Sequence, residues 1–245
     1  MKHKKPTVQE AIVFAKFQAK VDDSIYSSYF RAIQEEYPSF IPVPQQTMVF
    51  GFGPEGPLPT QQTIQNLTRY THTSGKLMLT LAADSLALHV LPPYPGWEKV
   101  IEHTTFAWER LVTAVSVSSI NLMSVRYINT IPVENSDQIL GDWLKPNDFM
   151  PVAVLESSPL SPCKIQKFFN KGQDSSSVTV SIVNDVVQNN NNFILDIERT
   201  KSLLIPADMV LINENFNTLH DSISGENGIF DTLITDKLKE WMNPS

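Results

Sequence analysis

The apolar positions of this chain recur with two periods, one for strands and one for helices. Over residues 9–19, Ala11, Ile12, Val13, Phe14 and Phe17 give the β-branched and aromatic richness of a strand inside a sheet. Asp22, Asp23 and Ser24 then supply helix-start chemistry. Tyr26, Tyr29, Phe30, Ile33 and Tyr37 recur at spacings of three and four until Pro38 ends the pattern, which predicts an amphipathic helix packed on that strand. Residues 40–59 are rich in proline and predict an extended edge element with turns and a short strand at 47–52. Strands predicted at 68–73, 76–82 and 86–91, turned at Ser74-Gly75 and near Asp84, form an antiparallel meander. Pro92, Pro93 and Pro95 interrupt it. Beyond Gly96, the residues Trp97, Val100, Ile101, Trp108, Leu111, Val112 and Val115 mark one face of a long helix, and a strand follows at 121–131.

A polar connection at 135–151, containing a short helical candidate at 139–144, divides the chain into an N-terminal half, 1–134, and a C-terminal half, 135–245, tightly packed together. Four strands are expected in the second half, at 152–156, 165–169, 177–187 and 192–198, with the asparagine run 189–192 as a solvated hairpin tip. The chain closes on helix: Phe216, Leu219, Ile223, Phe230, Leu233, Ile234, Leu238 and Trp241 share a face, and Gly225 and Gly228 predict a split into two helices. The expected fold class is α+β, with largely antiparallel sheets, amphipathic helices packed on them, and an element order that points to two similar halves without a residue-level repeat.

Composition narrows the function. With 245 residues and 42% of them hydrophobic, the chain can bury a sizeable core. A net charge of -7 repels a phosphate backbone, which disfavours nucleic acid as a partner, and the three lysines among residues 1–5 read as a solvated tail. Cys163 is the single cysteine, so neither an intrachain disulfide nor a cysteine-rich zinc site is available. No apolar run approaches the roughly 20 residues a membrane helix needs, and the 11–17 run, broken by Lys16, is unlike a secretory signal. A cytoplasmic location is expected, and the Asn66-Leu67-Thr68 sequon is read as chance.

Candidate chemistry is sparse. Gly51, Gly53 and Gly56 spell a dinucleotide-binding pattern, but Pro57 and Pro59 follow where a helix would have to open, so a turn is the better reading. No two of His3, His72, His89, His103 and His220 stand at the spacing that places both on one helical face, though His72 and His89 fall in one meander. Asp196 and Glu198 alternate on one strand face near Arg199 and Lys201, a faint likeness to a metal-dependent nuclease strand whose plain reading is a wet strand face. No catalytic residue, metal site or cofactor is assigned. Trp97, Trp108, Trp143 and Trp241, with Tyr94 and Tyr127, are anchors for core or interface, and the C-terminal helix carrying Trp241 offers a route to homo-oligomers.

One set of residues resembles a family signature. The run Val125-Arg126-Tyr127-Ile128-Asn129-Thr130-Ile131-Pro132, set after a helix opened by Pro93-Tyr94 and Gly96-Trp97, is similar to that of an uncharacterised, sporadically distributed prokaryotic family of this length. Val8-Gln9-Glu10-Ala11, Leu140-Gly141-Asp142-Trp143-Leu144, Leu219-His220 and Ile234-Thr235-Asp236-Lys237-Leu238 agree in order. The resemblance implies no activity, cofactor or catalytic residue, and such a distribution suits defence-linked or toxin-and-antitoxin genes. Thr130 stands where the family often has a basic residue.

Alternation along that strand puts Leu122, Ser124, Arg126 and Ile128 on one face and Met123, Val125, Tyr127 and Asn129 on the other. Arg126 then needs a partner, a carboxylate in a structural network or, on the sharper reading, an anion or peptide terminus. The leading expectation is a non-enzymatic interaction subunit bound to another protein, toxin-neutralising or defence-associated. The alternatives are a small-ligand sensor with Arg126, Tyr127 and Asn129 near a cleft between the halves, and a metal-dependent nuclease built on Asp196 and Glu198.

Overall fold

The computed structural model describes residues 6–19, 24–49, 52–53, 56–57, 61–132, 139–147, 152–156, 164–185 and 190–243. Strand β1, Val8–Ala19, leads into helix α1, Ile25–Ile33. Strand β2, Ser39–Val49, follows, then the two-residue ladder of β3, Phe52–Gly53, with β4, Gly56–Pro57. Gly53 and Gly56 of the glycine pattern fall on that ladder, Gly51 lies outside the described residues, and strand β5, Gln61–Thr71, comes next. Strands β6, Leu77–Leu81, and β7, Ser85–Val90, complete the meander before helix α2, Trp97–Ala114, and strand β8, Val117–Pro132. A 3-10 turn at Leu140–Asp142 and the short helix α3, Val152–Leu155, precede strands β9, Lys164–Lys171, β10, Asp174–Asp185, and β11, Asn190–Pro206. Helices α4, Met209–Ser224, α5, Ile229–Leu233, and α6, Asp236–Met242, end the chain.

Nine strands form one antiparallel sheet in the order β2-β5-β6-β7-β1-β8-β11-β10-β9, with helices packed on it, so the fold is α+β. The element order recurs. β1 passes through α1 to the far edge and a meander brings β7 back beside it before α2; β8 passes to the opposite edge and β11 returns beside it before α4. The two leading strands, β1 and β8, pair at the centre, Val13 opposite Val125.

Period-2 alternation assigns the faces. Ala11, Val13, Ala15 and Phe17 of β1 and Met123, Val125, Tyr127, Asn129 and Ile131 of β8 are buried under the helices. Their neighbours Ile12, Phe14, Arg126 and Ile128 point the other way and are half-exposed. In α2, Val100, Thr104, Ala107, Trp108 and Leu111 are buried at helical spacing, and Trp108 meets Phe17 edge to face at 5.9 Å. Gly96 precedes the helix at φ 95°, a backbone state that side-chain-bearing residues rarely adopt. The Tyr29 hydroxyl donates to the Ala107 carbonyl at 3.1 Å and ties α1 to α2. In α4, Asp208 caps the start by accepting from the Val210 and Leu211 amides.

Three local expectations need correction. Residues 152–156, expected as a strand, begin with helix α3; a short apolar run has no period that distinguishes the two. The helix is seated by close packing, since a Cβ on Gly141 would lie 3.3 Å from the Leu155 side chain. The asparagines 190–192 are paired in β11 opposite 183–185 rather than forming a tip, and Asn189 lies outside the described residues. The C-terminal helix divides into three segments, because Thr235 caps a new helix by accepting from the Leu238 amide. Its apolar residues are used within the chain: Leu238 and Met242 are buried, and Trp241 meets Trp143 at 6.4 Å.

Candidate functional site

The face of the sheet opposite the helices carries a cleft of about 640 Å³. Ile12, Phe14, Val43 and Leu67 give it apolar walls, while Lys16, Arg69, Asp84, His89, Arg126 and Glu198 bring charge and hydrogen-bonding capacity to it. Of its lining only Glu198 lies beyond residue 134, so the cleft sits over the N-terminal half and reaches its edge at β11 rather than lying between two halves.

Sheet register assembles the polar floor. Ile12 stands opposite His89 on one side and Arg126 on the other, which brings three strands to one line. Glu10, one step along the same face, lies 2.7 Å from His89 Nδ1, and His89 Nε2 lies 3.2 Å from Thr80 Oγ1. The hydrogen bond to His89 holds the Glu10 carboxyl below its ordinary value, against the upward pull of burial. Arg126 donates from Nε to Asp196 Oδ1 at 2.8 Å and from Nη2 to Asp196 Oδ2 at 2.6 Å, a bidentate pair diagonal across the β8–β11 ladder. Those bonds, with burial opposing them, raise the Arg126 pKa. The Ser124 hydroxyl donates to Glu198 Oε1 at 2.8 Å.

Asp196 is therefore held by a guanidinium and Glu198 by a serine. Among the described residues the two join no group of three potential metal ligands. Arg69 differs from Arg126. It lines the cleft close enough to Glu10 to favour that carboxylate, yet its Nε is buried with no hydrogen-bond partner among the described residues.

Tyr127 and Asn129 stand on the other side of the sheet from Arg126. The Tyr127 hydroxyl lies 2.8 Å from His220 Nδ1 and 3.2 Å from the Tyr94 hydroxyl. Trp97 stacks on the His220 ring at 4.2 Å with planes 7° apart, and its Nε1 donates to Asn217 Oδ1 at 2.7 Å. Burial pushes the His220 imidazole down to about 4, so it is neutral at physiological pH, and burial pushes the Tyr127 phenol well up. Asn129, 2% exposed, accepts from Thr7 Oγ1 at 2.9 Å and donates to the Leu195 carbonyl at 3.2 Å. This is a closed, neutral clamp joining β8, α2 and α4. Tyr127, Asn129 and Trp97 take no part in the cleft.

Several residues from separate parts of the chain meet in two clusters. Tyr94, Trp97, Tyr127 and His220 share one cluster; Leu144 bridges to Ile234, and the Thr235 hydroxyl donates to the Asp142 carbonyl at 2.7 Å in another. No protein-family model matches this chain, and no curated protein matches it. Sequence reasoning missed Glu10, Arg69, Ser124 and His89 as cleft residues. Parity along each strand gives their face, but only the register, which no local pattern specifies, sets them side by side.

Proposed function

We propose that the chain is a non-enzymatic binding module that takes a small polar ligand bearing an acidic group in the cleft on the uncovered face of the sheet. One observation carries the reading: Arg69 lines the cleft while its buried Nε has no hydrogen-bond partner among the described residues, whereas the other guanidinium there is already paired with Asp196. A buried donor left unpaired costs free energy that an incoming carboxylate or phosphate relieves. The cleft volume falls within the range typical of small-molecule sites, and the apolar wall of Ile12, Phe14, Val43 and Leu67 suits a ligand with one hydrophobic side.

A thermal-shift screen of carboxylate and phosphate metabolites tests this on wild type and Arg69→Met. A ligand at a hundred times its dissociation constant stabilises the fold by about 2.7 kcal/mol. For a chain of this size that raises the melting temperature by roughly 5–10 °C. The expected result is a shift in wild type that Arg69→Met abolishes; a shift of equal size in the variant, or none with any anion, overturns the reading.

The interaction-subunit reading, toxin-neutralising or defence-associated, draws support from a different place. Phe168 on the outer strand β9 is 67% exposed, an unusual position for an aromatic ring unless something covers it. Recovery of a stoichiometric protein partner that Phe168→Glu releases favours this reading, and a clean monomer that still responds to anions favours the ligand.

A further inference from the structure

We propose that Glu36, His72 and His103 form a binding site for a divalent transition-metal ion of the zinc class, on the helix side of the sheet and apart from the cleft. One ligand atom from each lies within 4.8 Å of the other two. They come from three elements. Glu36 follows the end of α1, His72 follows the end of β5, and His103 is on α2.

The backbone fixes this meeting. The Thr73 amide donates to the Glu36 carbonyl at 2.9 Å, which ties the β5–β6 turn to the end of α1. The turn is itself closed by the His72 amide on the Leu77 carbonyl at 3.0 Å and the Gly75 amide on the His72 carbonyl at 2.9 Å. His72 Nδ1 lies 2.9 Å from Ser74 Oγ, which orients the ring, and Nε2 lies 3.9 Å from Glu36 Oε2. Metal on Nε2 requires the Nδ1-protonated tautomer donating to that serine, the outer-shell arrangement ligating histidines favour. The Ser74 amide, 3.0 Å from the same nitrogen, competes for it, so binding of a metal selects one of two local arrangements.

Two imidazoles and a carboxylate match zinc, whose bonds to nitrogen and oxygen are about 2.0–2.2 Å. Ligand atoms in such a site stand roughly 3.3–3.5 Å apart by tetrahedral geometry. The three side chains therefore close by about 1 Å, which small rotations of a half-exposed glutamate and two half-buried rings allow. Tyr37 meets His72 edge to face at 5.0 Å, and its fully buried hydroxyl, within the field of the Glu36 carboxylate, has no hydrogen-bond partner among the described residues. Three protein ligands leave a fourth position open to water.

The test uses the full chain stripped with a chelator. Zn²⁺ is titrated by calorimetry and Co²⁺ by visible absorption, on wild type, Glu36→Gln and the double variant His72→Gln/His103→Gln, with circular dichroism confirming that each variant folds. The expected result is one site, Co²⁺ d–d bands of a low-coordinate imidazole centre, affinity lowered at least about 10-fold in Glu36→Gln and lost in the double variant. Absence of stoichiometric binding to wild type, or binding unchanged in the folded double variant, overturns the proposal. Should the double variant not fold, Glu36→Gln alone decides it: unchanged affinity there overturns the site.

Discussion

The two faces of the central sheet solve opposite problems with the same strands. On the helix side, Tyr127 joins Tyr94, His220 and Trp97 in a cluster that is neutral and closed, and Asn129 has both ends of its amide bonded. On the open side, Arg126, one residue away from Tyr127, joins a charged floor with Asp196, Glu10 and His89 beside a cleft. Under the helices, Tyr127 and Asn129 are kept by pairing, although a buried group such as the Tyr37 hydroxyl has no partner among the described residues; at the cleft, the Arg69 Nε and one Asp84 carboxylate oxygen are in that state. A shared segment of sequence is therefore weak evidence for a shared site on a strand, where the side chain changes face at every step.

If the covered face supplies the stability, Trp108→Ala is the substitution that shows it most. Trp108 is 1% exposed and packs on Phe17, and truncation leaves a cavity costing about 3–5 kcal/mol. Thermal melting is expected to fall by roughly 6–20 °C.

The clamp has its own pH signature. The folded-state pKa of His220 is depressed to about 4 from 6.5, so its contribution is fully present above pH 6.5 and is lost as pH falls through the folded value. The size of that shift sets an upper bound of roughly 3 kcal/mol, reduced by the solvent that still reaches the ring. His103, also lowered, adds to the slope in this window, while the Glu10 contribution, from a depressed carboxylate, fades only below its unperturbed 4.5. Denaturant unfolding between pH 7.5 and 4.5 therefore shows stability falling with pH, and His220→Gln flattens the curve; an unchanged slope in the variant would remove His220 as its source.

The smallest effect belongs to the open face. Arg126 is 39% exposed at its side chain and Asp196 17%, so Arg126→Met is expected to change stability by less than about 1 kcal/mol. A loss as large as that of Trp108→Ala would show that the open face, too, is structural, and would erase the contrast between the faces.

Much of the fold was legible because it is written in short-range periods. The strand at the start, the helix from Trp97, the three-strand meander and the partner required by Arg126 all follow from alternation, helical spacing and the cost of an unpaired charge. Residues 152–156 failed that reasoning because a few apolar residues fit either period. Arg126 faces the cleft while Tyr127 and Asn129 face the helices, the separation that alternation along the strand predicts. His72 and His89, close in one meander, also part company, His89 to the cleft and His72 to His103 across the helix side.

By itself the sequence determined most of the elements, their order and the alternation of faces along the strands, since these depend on neighbours within a few residues, and the acidic balance, which composition sets. Tertiary structure alone decided which strands lie side by side, and so that Glu10 meets His89, that Arg126 meets Asp196, and that Glu36, His72 and His103 converge. Those meetings depend on the register of pairings between residues about 70 or more apart in places, where no local period carries information and only the joint packing of sheet and helices selects one arrangement.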